Sequence, residues 1–207
     1  MNSVFVIGGG GREHAIVDAI AKGPKRPELI ICAPGNPGIK KLARCINIPA
    51  DDVDHIVDWA NAERPSLTIV GPEVPLAAGI VDRFTQIGLP IFGPTAAAAL
   101  LETSKVYGYE VLSLISNANF VPASHIYLTA HDAMIGIEID WEEAWENGGV
   151  VVKADGLAAG KGVIMARTKE EANDAIRRIM VERVFGTAGN IVIIQEFVEG
   201  RELSALL

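Results

Sequence analysis

Lys153 and Lys161 frame a glycine-rich turn in VVVKADGLAAGKGV, residues 150–163, and this arrangement suits the phosphates of a nucleotide. Gly156, Gly160 and Gly162 let backbone N–H groups come close to an anion, while the two lysines add positive charge. ATP is therefore the first ligand to consider. The P-loop pattern does not apply: only three residues separate Gly156 from Gly160, and Gly162 stands where a serine or threonine would ligate magnesium. What remains is a flexible turn between two strands, with Lys153 on the strand before it and Lys161 at its tip. An ammonium in so apolar a run calls for a phosphate or carboxylate partner, unless the strand is an edge and the lysine faces solvent.

A second glycine turn, GGGGREHA at residues 8–15, places Gly8 and Gly10 in the first two positions of a GxGxxG dinucleotide motif, but Glu13 stands at the third. The following strand ends at Cys32-Ala33 with no carboxylate for a ribose hydroxyl, so a nicotinamide site is disfavoured. Two readings stay open: a smaller phosphate ligand on the N–H groups opening the Arg12 helix, or a tight turn that binds nothing. His14 is either a helix-packing side chain or a ligand contact. His55, His125 and His131 form no constellation, and the two cysteines, Cys32 and Cys45, lack metal-ligand or CxxC spacing, so no metal site is assigned.

Elements must hold these turns in place. Val4–Ile7 reads as a strand running into the first glycine turn, followed by a helix with Ala15, Ile16, Ala19 and Ile20 as its apolar stripe. Leu29–Ile31 is a second strand. Asp51 and Asp52 cap a helix carrying Val53, Ile56, Val57 and Ala60, and Leu67–Val70 is a third strand. A helix is expected from Pro75 to Ile87, closed by Gly88, then a strand at Pro90–Phe92 and a helical region over about Thr95–Ile115. Strands alternating with helices imply a parallel sheet. Asn117-Ala118-Asn119 breaks the pattern ahead of Phe120-Val121-Pro122. Beyond it come strands at His125–Leu128, Val150–Ala154, Val163–Ala166 and Ile191–Gln195, with a charged helix at Lys169–Arg183, which together read as a small α+β module.

The chain has 207 residues, 49% hydrophobic and 21% charged, enough to bury roughly 70% of its unfolded surface. Its formal net charge of -8 argues against a nucleic-acid or anionic-membrane surface. The N-terminal region has no basic stretch, and Val4–Ile7 is too short for a signal or membrane segment, so a cytoplasmic, reducing location is expected, with both cysteines as small buried side chains.

Six stretches in order carry a family resemblance: GGGGREHA, APGNPG from Ala33, VGPEVPLAAGIVD from Val70, GPTAAAALLETSK ending at Lys105, VVKADGLAAGKGV, and QEFVEGRELS from Gln195. Together they resemble glycinamide ribonucleotide synthetase (phosphoribosylamine-glycine ligase), a family of ATP-grasp enzymes. The resemblance implies an α/β chain with a Rossmann-like parallel-sheet domain at 1–103, a helical linker at 104–122, an ATP-grasp lid subdomain at 123–195, and the hinge and start of a second, truncated subdomain at 196–207. It implies that Lys105 and Lys153 reach the phosphates of ATP while Gly156, Gly160, Lys161 and Gly162 close over them. Gln195, Glu196, Phe197 and Val198 would hold the adenine edge, and Glu202 the ribose hydroxyls. Gly9, Gly10, Gly11 and Arg12, with Asn36 and Glu73, would hold the phosphoribosyl group. The activity implied is ligation of glycine to 5-phosphoribosylamine through an acyl phosphate, in purine biosynthesis; carboxylate oxygen is a poor leaving group, and alignment and charge neutralisation supply the catalysis.

The family continues for about as long again past the point matching Leu207. Magnesium ligands, the glycine contacts and a further domain are expected in that continuation, so the resemblance implies that the 207-residue polypeptide alone lacks ligase activity. Smaller departures are Thr103 for a common glycine, Tyr107-Gly108-Tyr109 for a segment that often has another lysine, and Gln195 for the usual glutamate. The segment from Ile135 to Asn147 has no functional account, and oligomeric state is left open. Another ATP-grasp ligase or carboxylase, or a nucleotide-binding module without turnover, are the competing readings.

Overall fold

The computed structural model describes residues 2–114, 121–158, 160–201 and 203. The chain divides into two compact units, Met1–Glu102 and Thr103–Leu207.

The first unit is built on an all-parallel sheet of β1 (Ser3–Gly8), β2 (Leu29–Pro34), β3 (Arg44–Cys45), β4 (Leu67–Val70) and β5 (Ile91–Phe92), in the order β3-β2-β1-β4-β5. Central β1 alternates its side chains between two apolar clusters. Phe5 and Ile7 join Ile31, Ile56, Ile80 and Phe84 on one face, while Val6 joins Val17, Ile30, Cys32 and Ile39 on the other. Both faces are thus covered, which is why the strands read as continuous β-branched runs. Helix α1 (Gly11–Lys22) covers the Val6 face, whereas α2 (Val53–Glu63) and α4 (Ile80–Gln86) cover the Phe5 face.

Three expectations need correction here. Ala15 and Ala19 are exposed; the inward stripe of α1 is Glu13, Val17 and half-buried Ile20, because those residues share the face turned to β1 and β2. The single helix expected over Pro75–Ile87 is two, α3 (Glu73–Ala77) and α4, parted at Gly79, whose φ of +79° suits a residue without Cβ. The helical region after Thr95 is likewise two helices, α5 (Ala96–Thr103) and α6 (Lys105–Leu114). Ser104 interrupts them: its hydroxyl accepts from Tyr107 N–H at 3.1 Å and so caps α6. The break expected at Asn117–Phe120 lies outside the described residues.

The second unit carries an antiparallel sheet, β6 (Ser124–Tyr127), β7 (Val150–Ala154), β8 (Val163–Ala166) and β9 (Val192–Glu196), in the order β6-β9-β7-β8. Val150, Val152, Ala154, Val192 and Ile194 pack under α7 (Ala130–Ile139) and α8 (Lys169–Ile176). The charged helix expected through Arg183 keeps α-helical form only to Ile176 and continues as a π-helical turn over Arg177–Val181. Helix α7 escaped the sequence reading because Gly136 lies in its middle. That glycine is where the Tyr127 ring packs, leaving no room for a Cβ. Much of the Trp-rich segment is structural: Ile137 and Trp141 lie in the core, with Ala144 and Trp145 packed against it. Among the described residues no helix is long and apolar enough to cross a membrane.

Candidate functional site

Strand β7 turns Val150, Val152 and Ala154 to the core, and so turns Val151 and Lys153 to the opposite face. The register sets Val151 beside Gln195 and Met165, and Lys153 beside Ile193 and Val163, so all of these share that face. Because β9 and β8 flank β7, Lys153 is not on an edge strand. Its ammonium donates to Gln195 Oε1 and, at 3.4 Å, to the Tyr109 hydroxyl of α6. The Gln195 amide nitrogen in turn donates to Tyr109 Oη at 3.1 Å. Among the described residues the hydrogen-bond partners of Lys153 are these two neutral oxygens, and its half-buried ammonium keeps part of its hydration. Beside it opens a cleft of about 390 Å³, within the range of small-molecule sites, walled by Val151, Val163, Met165, Phe197 and Val198, with Lys153, Gln195 and Glu196 as polar groups.

Strands β7 and β8 form a hairpin whose turn is the glycine-rich stretch. Gly156 and Gly160 have φ of +110° and +75°, and Lys161 is exposed beyond them. The base of the turn is tied down. Lys105 Nζ donates to the carbonyls of Ala154 at 3.0 Å and Gly156 at 3.2 Å, and Asp155 accepts from Ser104 Oγ and from Val106 N–H at 3.1 Å. Lys105, expected at the phosphates, thus also braces the loop. Ser104, Tyr109 and Asp155 were missed as site residues; the serine opening a helix was the available signal for the first, and nothing local marks the other two.

At the hinge, Glu196 N–H is committed to the Ala123 carbonyl at 2.9 Å, and the Phe197 ring lies over Gly148. Glu202 lies outside the described residues. A second cleft, of about 440 Å³, shares Glu196 and Phe197 but is lined by Asp140, Glu142 and Glu143, charges that repel a triphosphate.

In the first unit the glycine turn sits at the C-terminal ends of β1 and β4, where the strand order reverses and open α/β sheets place their crevice. Arg12 spans that point, donating to Gly71 O at 2.9 Å and Glu73 Oε1 at 2.8 Å. Asn36 donates to Gly9 O at 3.0 Å and accepts from the N–H groups of Gly38 and Ile39, fixing the APGNPG loop against the turn. Gly9, Gly10, Gly11, Arg12, Asn36 and Glu73 are thereby brought together. Glu13 explains the missing third glycine: its buried carboxylate accepts from Gly10 N–H at 2.6 Å and fills the space that a Cβ on Gly8 or Gly71 would need. His14 packs over Gly38. Cys32 is buried and Cys45 partly so, both free; burial pushes the Cys32 thiol up to about 12, which keeps it protonated.

The hydrogen bond from Arg12, aided by a backbone hydrogen bond, holds the Glu73 carboxyl below its ordinary 4.5. A lowered carboxyl stabilises the fold above its unfolded value and loses that contribution as pH falls through the folded value. Both side chains are largely solvated, so the contribution is under about 1 kcal/mol. Glu73→Gln should therefore match the parent at pH 3 and fall slightly below it at pH 7, as read by thermal melts at the two pH values; a larger deficit at pH 3 would contradict the pairing.

A doubly wound parallel-sheet unit, followed by an antiparallel sheet with a glycine hairpin and, on the strand before it, a lysine on the face turned away from the core, defines an ATP-grasp protein. More narrowly, the chain belongs to the phosphoribosylglycinamide synthetase family: residues 2–102 match that family's N domain and residues 118–207 its ATP-grasp (A) domain. Phosphoribosylamine–glycine ligase of Xanthomonas campestris is 47% identical over 206 residues, covering 97% of this chain and 45% of the relative. The same-named protein of Caldanaerobacter subterraneus is 42% identical over 201 residues, with 97% and 46% covered. The crystal structure of phosphoribosylamine–glycine ligase from Thermotoga maritima superposes with a TM-score of 0.72 at 25% identity, over 96% of this chain and 44% of that one. A biotin carboxylase complex from Campylobacter jejuni, at 15% identity and a TM-score of 0.70 over 96% of this chain and 45% of that one, shares the fold alone. The chain spans about half the length of the curated relatives it matches.

Proposed function

We propose that this chain supplies the ATP-holding lid and the phosphoribosylamine-holding domain of a ligase that joins glycine to 5-phosphoribosylamine, giving glycinamide ribonucleotide, ADP and phosphate. The observation that carries this reading is Lys153 beside an apolar cleft, on one sheet face with Gln195 and next to the glycine hairpin. Val151, Val163 and Met165 offer apolar surface for a purine ring; Lys153 offers a point charge to its phosphates, and Lys161 a second from the hairpin tip. Phe197 and Val198, beyond the end of β9, offer backbone groups to the adenine edge. ATP supplies the phosphoryl group that turns the glycine carboxylate into an acyl phosphate, a better leaving group for attack by the amine.

In the first unit, the turn at Gly9–Arg12, whose Gly10 N–H is taken by Glu13, offers its other backbone donors to a phosphate, Arg12 adds a guanidinium, and Asn36 keeps the neighbouring loop in register. Glu73, held by Arg12, presents its carboxylate for a ribose hydroxyl. Magnesium is expected with the triphosphate; among the described residues no group of three or more His, Cys, Asp or Glu side chains gathers to hold it. The net charge of -8 supports small-molecule substrates over nucleic acid, and a cytoplasmic location belongs to the same reading.

Calorimetric titration of the chain with ATP, NADH and a stable ribose-phosphate analogue tests this. ATP and the analogue are expected to bind and NADH not to. NADH binding without ATP binding would overturn the reading, and so would absence of glycine- and phosphoribosylamine-dependent ADP formation by the protein expressed from its own gene.

A further inference from the structure

Lys105 and Asp155 hold each other in place. The Lys105 ammonium donates to the carbonyls of Ala154 at 3.0 Å and Gly156 at 3.2 Å, the residues on either side of Asp155. The Asp155 carboxylate accepts from Ser104 Oγ, at 3.2 Å and 3.1 Å on its two oxygens, and from Val106 N–H at 3.1 Å, the residues on either side of Lys105. One side chain thus anchors the start of α6 to the turn after β7, and the other anchors that turn to the start of α6.

The first N–H groups of a helix lack an intrahelical partner, and a carboxylate is a favoured acceptor there. Asp155 takes the Val106 donor, while Ser104 Oγ, which it also holds, takes Tyr107 N–H at 3.1 Å. Asp155 is itself fixed in the sheet, its N–H donating to Ile191 O at 3.1 Å. Lysine is a flexible side chain, so its ammonium reaches a fixed place only when its own backbone is fixed. The cap does this for Lys105. An acid so near a hairpin that closes over a triphosphate also has an electrostatic cost, because like charges repel.

We propose that Asp155 is a positioning residue that fixes the start of α6 and so keeps the Lys105 ammonium at the base of the glycine hairpin, where it meets the phosphates of the bound nucleotide. This rests on the reading of Lys105 as a phosphate contact. Charge and geometry then predict opposite signs. Loss of the acid alone would strengthen binding of a polyanion, whereas loss of the anchor weakens it.

The test compares the full chain with Asp155→Ala and Asp155→Asn, the former also in a Lys105→Ala background. Asparagine sheds the charge but keeps an oxygen for Val106 N–H and an amide donor for Ser104 Oγ. Asp155→Ala is expected to weaken equilibrium binding of MgATP about fivefold or more, and Asp155→Asn to regain most of that loss. Both should bind adenosine within about twofold of the parent, a split that general loosening of the fold would not produce. With Lys105 already alanine, Asp155→Ala should change MgATP affinity by less than about twofold, because the lysine through which it acts is gone. Competitive acetylation without nucleotide is read by mass spectrometry against exposed Lys25, and there Asp155→Ala is expected to raise Lys105 labelling about threefold or more. MgATP affinity at or above the parent's in Asp155→Ala, equal losses for MgATP and adenosine, an undiminished loss in the Lys105→Ala background, or unchanged Lys105 labelling would overturn the proposal. Failure of the parent chain to bind MgATP at all would instead sink the phosphate-contact reading on which it rests, and the labelling result would still decide whether Asp155 holds the lysine.

Discussion

Gly149→Ala is expected to unfold the second unit at urea concentrations that the parent withstands. Gly149 has a φ of +98°, and a Cβ there would sit on the Ala166 carbonyl oxygen and against Arg167 Cα. Positive φ costs an alanine about 1–2 kcal/mol. The overlap is with backbone, so it is relieved only by parting β7 from β8 where Val150 pairs with Ala166. Together these place the loss at about 3–5 kcal/mol, against a total of about 5–15 kcal/mol for an ordinary domain. The urea midpoint should fall by about 1–3 M, followed through the fluorescence of Trp141 and Trp145, which pack in that unit. Gly160→Ala is the control: it also has positive φ, yet nothing lies within 4 Å of its Cβ position, so a loss of only about 1 kcal/mol is expected. Equal midpoints for the two variants would show that the Ala166 contact has no such consequence.

Lys153→Ala is expected to weaken ATP by about 1–3 kcal/mol, the range for a hydrogen bond to a charged group, or roughly 5- to 150-fold in Kd. Adenosine affinity should stay within a factor of about two, since the apolar walls of the cleft and the hinge backbone are untouched. The fold should survive: Gln195 and Tyr109 keep their mutual hydrogen bond, and the lost donor is worth about 1 kcal/mol. Calorimetry with ATP and adenosine, beside circular dichroism, separates these effects. Unchanged ATP affinity in a folded variant would remove Lys153 from the nucleotide site.

Glu13 shows how a sequence can exclude a function without revealing its own role. Its place in GGGGREHA argued against a dinucleotide, but only the structure reveals a buried carboxylate serving Gly10 N–H and requiring glycine at positions 8 and 71, which is far away in sequence. Lys105 shows a similar limit. The family resemblance implied a phosphate contact for Lys105; its bonds to the carbonyls of Ala154 and Gly156 were not legible, because they join residues about fifty positions apart.

What the sequence determined alone was local and periodic. β-branched runs beside glycine turns specified the strands, and the order of six motifs specified the family, because both depend on neighbours in the chain. Tertiary structure decided what depends on distance: that Lys153 rests on neutral Gln195 and Tyr109, that Gly79 and Ser104 end helices whose apolar pattern ran on, and that the Trp-rich segment is core. Those outcomes are fixed by which faces meet, and hydrogen bonds and buried apolar surface are shared between segments that no local spacing relates.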